Sequence, residues 1–335
     1  MKGAISSDSL LARVCSGLKA RQRGHLSGEQ LARELGLSRN AIWKQVEALR
    51  RLGYQVQSSR RLGHRLVSAP DRPLPWELLD GLATRRLGRP ARFWEVAGST
   101  QDLARRWAET GAPEGALVVA EEQRSGRGRR GRPYVSPRGG VWFSLVLRPP
   151  RPPSDGLALS LLATVAVHRA INAATGLAVV ASWPKEVLVG GRRVAAVLVE
   201  MSAEQDLVRY AILGVGVNVN LPVESFPPQV RGSATSLLLE VGEPVAVVPF
   251  VRRLLEELDS LYGLYLQEGP AAVAEAWRRE PNILGHRVTV EGDEVQLAGE
   301  AVDVAADCCL LLRLDDGRVV RLSQGRASLS ATVTS

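Results

Sequence analysis

The chain has 335 residues, 45% hydrophobic and 23% charged, the balance of a globular protein with room for two or three domains and a sizeable core. Its 43 basic and 35 acidic residues leave a net charge of +8, which favours an anionic partner such as DNA, RNA or a nucleotide. Three cysteines and four scattered histidines argue against a disulfide-stapled domain and a zinc site, and no leader or membrane-length apolar run is read, so a cytoplasmic protein without a membrane partner is expected.

Leu10, Leu11 and Val14, then Leu31 and Leu35, then Ile42, Val46 and Leu49 recur at helical spacing. Between the last two groups a tight turn is expected. Ser27 caps the first helix with Gln30 at the capping-box position, Gly36 permits the turn, and Ser38 caps the second. Alternation over 54–67, turning near Gly63, predicts a two-stranded wing. A winged helix-turn-helix over 1–68 suits DNA, with the second helix in the major groove. Ser38, Arg39, Asn40, Lys44 and Gln45 occupy its early turns. Asn40 and Gln45 suit base edges, and Arg39 and Lys44 suit phosphate or guanine. A helical packing module that touches no DNA is the alternative at this point.

Residues 69–75 form a stiff, extended, proline-rich linker. A mixed domain over 76–272 follows, with strands expected at 93–97, 116–121, 141–147, 197–201 and 209–220. Its helices are expected at 100–110, 157–174 and 248–267. His168 lies on the long apolar helix and is read as a core or edge histidine. Residues 281–332 alternate, with an Asp316-Gly317 hairpin turn, and suit a small barrel. The fold class is therefore α+β.

The stretch SGRGRRG, 125–131, spells G-x-G-x-x-G with Gly126, Gly128 and Gly131. The dinucleotide fingerprint requires a helix opening at those glycines, and here Arg132-Pro133-Tyr134 leads to a second strand. That reading fails. What remains is a loop carrying Arg127, Arg129, Arg130 and Arg132, with little apolar area to bury. It is expected to stay unstructured until an anion organises it.

The run EEQRSGRGRRGRPYVSPRGGVWFSLVLRP, 121–149, resembles the signature of biotin protein ligases. GST at 98–100, RRVAAVLVEM at 192–201, GVGVNVN at 214–220 and SATSL at 233–237 accompany it in the family's order. With a winged helix in front and a small β domain behind, the chain resembles the bifunctional class of biotin ligase and biotin-operon repressor. The resemblance implies a class II synthetase-like α/β core and an SH3-like C-terminal barrel. It implies activation of biotin with ATP and Mg²⁺ to biotinyl-5′-AMP, then transfer to a lysine on the carrier domain of a biotin-dependent carboxylase. It also implies a homodimer, formed on the adenylate, that binds operator DNA.

Carried over by motif, Ser99, Thr100, Gln101, Gln123, Arg127, Gly128, Arg129 and Arg193 are expected to bind biotin, with Asp102 at a capping-box position. Gly126, Arg130, Arg132, Tyr134, Lys185 and Asn218 are expected to bind the adenylate or its phosphates. The departures from the family cluster at one place. Its K-W-P-N-D reads here Ser182-Trp183-Pro184-Lys185-Glu186, and Arg193 and Ala196 stand where lysine and glycine are usual. Lys185, one of only four lysines, is read as reaching the phosphates in place of the missing lysine. Lys185 and Arg193 are the catalytic candidates, and Glu186 the Mg²⁺ carboxylate. These departures leave open an alternative, a transcription regulator whose decayed core only senses biotin or its adenylate. A lipoate-handling relative is a third, weaker reading.

Overall fold

The computed structural model describes residues 4–21, 24–59, 61–204, 206–292 and 296–329. Residues 1–3 and 330–332, at the outer edges of the expected first and third domains, lie outside the described residues. Strand β1 (Ile5–Ser6) leads to α1 (Leu10–Ala20), α2 (Gly28–Leu35) and α3 (Arg39–Arg51), then to β2 (Gln55–Ser59) and β3 (Gly63–Ser68). Ser27 accepts from the Glu29 amide, Ser38 accepts from the Ala41 amide, and Gly36 closes α2 at φ +67°, a left-handed conformation that suits glycine. The capping box at Gln30 does not form, because its amide bonds Glu34 one turn on at 2.9 Å. β2 and β3 pair as the wing, and His64 also bridges Leu26.

The linker is not a free spacer. Asp71 accepts from the amides of Val247 and Val248, and Arg72 donates to the Leu52 carbonyl at 2.9 Å while pairing with Glu121. Pro75, the last residue expected in the linker, opens α4 (Pro75–Leu79), where its missing N–H costs nothing. α4 presses Trp76 and Glu77 against the winged helix. Trp76 donates to the Tyr54 hydroxyl, and Lys19 pairs with Glu77 at 2.7 Å. β1 was placed with the winged helix by sequence position, yet it pairs with the edge of the central sheet, so that module is held from both its ends.

The central domain continues with β4 (Ala91–Trp94), α5 (Thr100–Glu109), β5 (Leu117–Ala120), β6 (Val141–Leu147), α6 (Gly156–Thr175), β7 (Val179–Ser182), β8 (Glu186–Val189), β9 (Arg192–Glu204), β10 (Leu207–Val217), α7 (Leu237–Val241), α8 (Val247–Glu268) and α9 (Pro270–Arg279). Eight strands run in the order β1-β4-β5-β6-β10-β9-β8-β7, with only β4 and β5 parallel. The stretch 153–175 is long and apolar enough by composition to cross a membrane, which the sequence reading did not see. In the fold it is a core helix, with Leu161, Leu162, Val165 and Ile171 fully buried. His168 is buried there too, its Nε2 3.0 Å from the Val179 carbonyl, and burial lowers its pKa.

β11 (Arg287–Glu291), β12 (Gln296–Val304), β13 (Leu310–Arg313), β14 (Val319–Leu322) and β15 (Arg326–Leu329) form an antiparallel β domain in the order β14-β13-β12-β11-β15. Asp316-Gly317 makes the β13–β14 turn, with Gly317 at φ +86°. This domain docks on the β7–β8 hairpin. Ser182 donates to the Ala327 carbonyl at 2.8 Å, and Trp183 donates to the Cys308 carbonyl at 3.0 Å.

Candidate active site

Two compartments share one cleft over β9 and β10. The first is enclosed by the start of α5, by β6 and by the stem of the glycine–arginine loop. Gly214 and Gly216, two residues apart on β10, face the same side. Any Cβ on Gly214 would strike the Gln101 amide at 2.5 Å, and one on Gly216 would meet Tyr134 at 2.9 Å. Glycine therefore makes a flat floor on which polar side chains can sit.

Those side chains form one network. Gln123 accepts from the Thr100 amide at 2.8 Å and from its hydroxyl at 3.0 Å, and donates to Ser136 at 3.0 Å. Gln101 donates to the Ile212 carbonyl at 3.0 Å, and the buried Ser144 hydroxyl lies 2.9 Å from Thr100 and 3.0 Å from Gln101. Ser144 was missed in the sequence because a serine inside an apolar strand carries no motif. Ser99 caps α5 by position, but its side chain makes no capping bond. Nor does Asp102 complete a box, because it pairs with Arg127 and Arg105 instead.

The second compartment is larger and cationic. Six basic side chains line it: Arg129, Arg130, Arg132, Lys185, Arg193 and Arg326. Gly128, Tyr134, Ala196 and Val197 border both compartments, so the two are continuous. Tyr134 packs edge-on against Trp142 at 6.0 Å, and burial holds its hydroxyl protonated, pushed up to about 12. Lys185 is half-buried, and while its carbonyl accepts from the Val197 amide at 2.9 Å, its ammonium makes no hydrogen bond or ion pair to any described residue. Burial, and then Arg129, depress its pKa. A desolvated ammonium among arginines is a ready anion partner. Arg326, from the C-terminal domain, was not expected here at all, since only the docking of β15 brings it in.

The carried-over residues divide between the two compartments, and some line neither. Arg193 and Arg129 line the cationic compartment alone, not the enclosed one. Gly126 lines neither. A Cβ there would meet the Tyr134 carbonyl at 2.4 Å, so glycine allows the loop to fold back on itself. Asn218 lines neither as well. Its amide donates to the Thr235 carbonyl at 2.8 Å, bracing the segment beside Arg193. Arg127 borders the enclosed compartment, but its guanidinium is taken by Glu200 and Asp102.

Glu186 does not fit a Mg²⁺ site. Its two oxygens are engaged by Arg193 at 3.0 Å and Arg326 at 2.9 Å, and among the described residues no cluster of three metal-ligating side chains exists. Ser182, in the place of the family's lysine, faces the C-terminal domain rather than the cleft.

On α3, Ser38, Arg39, Asn40 and Lys44 are exposed and Gln45 is half-buried. Trp43, 54% exposed between Asn40 and Lys44, belongs to the same face. Its position one residue off the Ile42–Val46 stripe was the signal for it in the sequence.

A cleft joining a pocket with a polar side-chain network to a cationic one, in a chain that also carries a winged helix, is the arrangement of an enzyme for an anionic substrate fused to a DNA-binding module. The biotin/lipoate A/B protein ligase family matches residues 93–218, and a helix-turn-helix domain family matches 18–65. The bifunctional ligase/repressor BirA of Bacillus spizizenii is 36% identical over 87% of this chain and 90% of its own length. That of Escherichia coli is 27% identical over 86% and 88%. The biotin protein ligase of Aquifex aeolicus, solved with biotin and ATP, superposes with a TM-score of 0.62 at 25% identity, covering 72% of this chain and 99% of that one. The chain belongs to the biotin protein ligases of the bifunctional ligase/repressor type, and its ligase core is not decayed.

Proposed function

We propose that the cleft activates biotin with ATP and hands it to a lysine on a biotin carrier domain, and that the loaded protein represses transcription as a homodimer on operator DNA. The observation that carries this reading is the continuity of the enclosed polar compartment with the six-cation one. The ureido head of biotin, one carbonyl and two N–H groups, matches the donors and acceptors of Ser99, Thr100 and Gln123. Its carboxylate then reaches the junction at Gly128 and Ala196. There a carboxylate oxygen attacks the α-phosphorus of ATP, the bond to the bridging oxygen breaks, and pyrophosphate leaves with that electron pair. Arg129, Arg130, Arg132, Lys185, Arg193 and Arg326 spread the phosphate charge, so catalysis is positioning plus neutralisation. The carrier lysine, as free amine, next attacks the acyl carbon and expels AMP.

Magnesium is expected to travel with ATP rather than in a protein cage, and no step is assigned to it. The work divides among a winged helix over 1–68, a linker over 69–75, a core over 76–272 and a β domain over 281–332, in the cytoplasm. Incubation with biotin, MgATP and a carrier domain, followed by weighing the carrier, tests the ligase. A mass gain of one biotin is expected, and adenylate without transfer would overturn the reading.

A further inference from the structure

Of the four loop arginines, three face the cationic compartment and one does not. Arg127 sends Nη1 and Nη2 to the two oxygens of Glu200, the second at 2.9 Å, and Nη2 also lies 2.8 Å from Asp102. Glu200 lies on β9 and Asp102 in the first turn of α5, two elements that border the first compartment. Arg127 therefore ties the loop to both β9 and α5 beside that compartment. Its backbone is equally constrained. Tyr134 donates to the Gly126 carbonyl and Gly128 to the Arg132 carbonyl, both at 2.8 Å, so the guanidinium and the strand-like stem move together.

We propose that Arg127 is a positioning residue, whose fork on Glu200 and Asp102 latches the loop stem over the biotin end of the cleft and sets how long the adenylate is retained. The inference rests on the enclosed compartment being biotin's. The Nη1–Nη2 edge of Arg127 is committed to carboxylates, and its side chain borders the first compartment, whereas Arg129, Arg130 and Arg132 line the cationic side. The partners are only partly shielded, with Arg127 20% and Glu200 34% exposed. Salt must therefore weaken the latch.

The test is the dissociation rate of biotinyl-adenylate from the full chain across a series of ionic strengths, for the native protein, Glu200→Gln and Glu200→Asp. Glu200→Gln is expected to release the adenylate about tenfold faster, equivalent to about 1.4 kcal/mol, with the salt dependence flattened. Glu200→Asp, which keeps the charge, is expected to recover most of the retention. Equal release by the native protein and Glu200→Gln overturns the latch. So does equal acceleration in both variants with an unchanged salt slope, the mark of a structural defect. Failure of the native protein to retain any adenylate overturns instead the assignment of the compartment, and the latch with it.

Discussion

The glycine–arginine loop and the β7–β8 hairpin face each other across the cationic compartment, and they supply charge in opposite ways. The loop keeps its family motif in full, yet one of its cations is spent on carboxylates. The hairpin has lost its family lysine, yet it presents Lys185 unpaired, beside a Glu186 whose own charge is covered by Arg193 and Arg326. Motif retention and available charge are thus different quantities. What the cleft presents is a set of cations drawn from several elements, the loop, the hairpin, β9 and the C-terminal domain.

If that holds, removing Lys185 gives the largest effect. Lys185→Ala is expected to lower kcat/KM for ATP in adenylate formation about a hundredfold, the usual consequence of deleting one preorganised donor to developing charge. A rate near that of the native protein would break the comparison and leave the loop alone in charge of the phosphates.

A smaller effect sharpens it through pH. In the proposed reaction Lys185 meets phosphate as the ammonium, and its pKa in the folded chain lies below the ordinary lysine value. ATP affinity is therefore expected to fall as pH rises through that lowered value, several-fold, before the arginines change at all. Lys185→Arg should abolish this alkaline limb in a titration of KM for ATP. The sign for stability is opposite to that of a paired lysine. The unfolded chain holds the proton more tightly, so the shift costs stability at neutral pH, and the cost fades as pH rises from the folded pKa and is gone only above the ordinary lysine value of the unfolded chain.

Much of this was legible in the sequence, for local reasons. Ser38, Gly36 and the Gly317 turn act through bonds to near neighbours, and the Arg127–Arg132 loop sits between two strands whose alternation is visible. The misreadings share a different cause. Gln30 and Asp102 had capping geometry available but found stronger partners, one turn along the helix and across the cleft respectively. Arg326 enters the site, and Ser182 leaves it, through a contact between residues 145 positions apart, which no window of sequence contains. The pairing of β1 with β4 is of the same kind.

Ser182 offers the smallest prediction and the one that isolates the hairpin from the loop. Its hydroxyl is fully buried and donates to Ala327 on β15, the strand that begins at Arg326. Ser182→Ala leaves that carbonyl without its donor, at a cost of about 1 kcal/mol in the docking of the C-terminal domain. The expected outcome is a small loss of denaturant stability together with a rise of about twofold to threefold in KM for ATP, because Arg326 is held less firmly beside Glu186. Ser182→Lys tests the converse. If the comparison is right, restoring the family's lysine does not rescue Lys185→Ala, since position 182 faces the Ala327 carbonyl at the domain interface and Glu186, opposite it in the ladder, is already taken by two arginines. Rescue would mean that the hairpin can turn 182 towards the phosphates, and that Lys185 has not taken over its place.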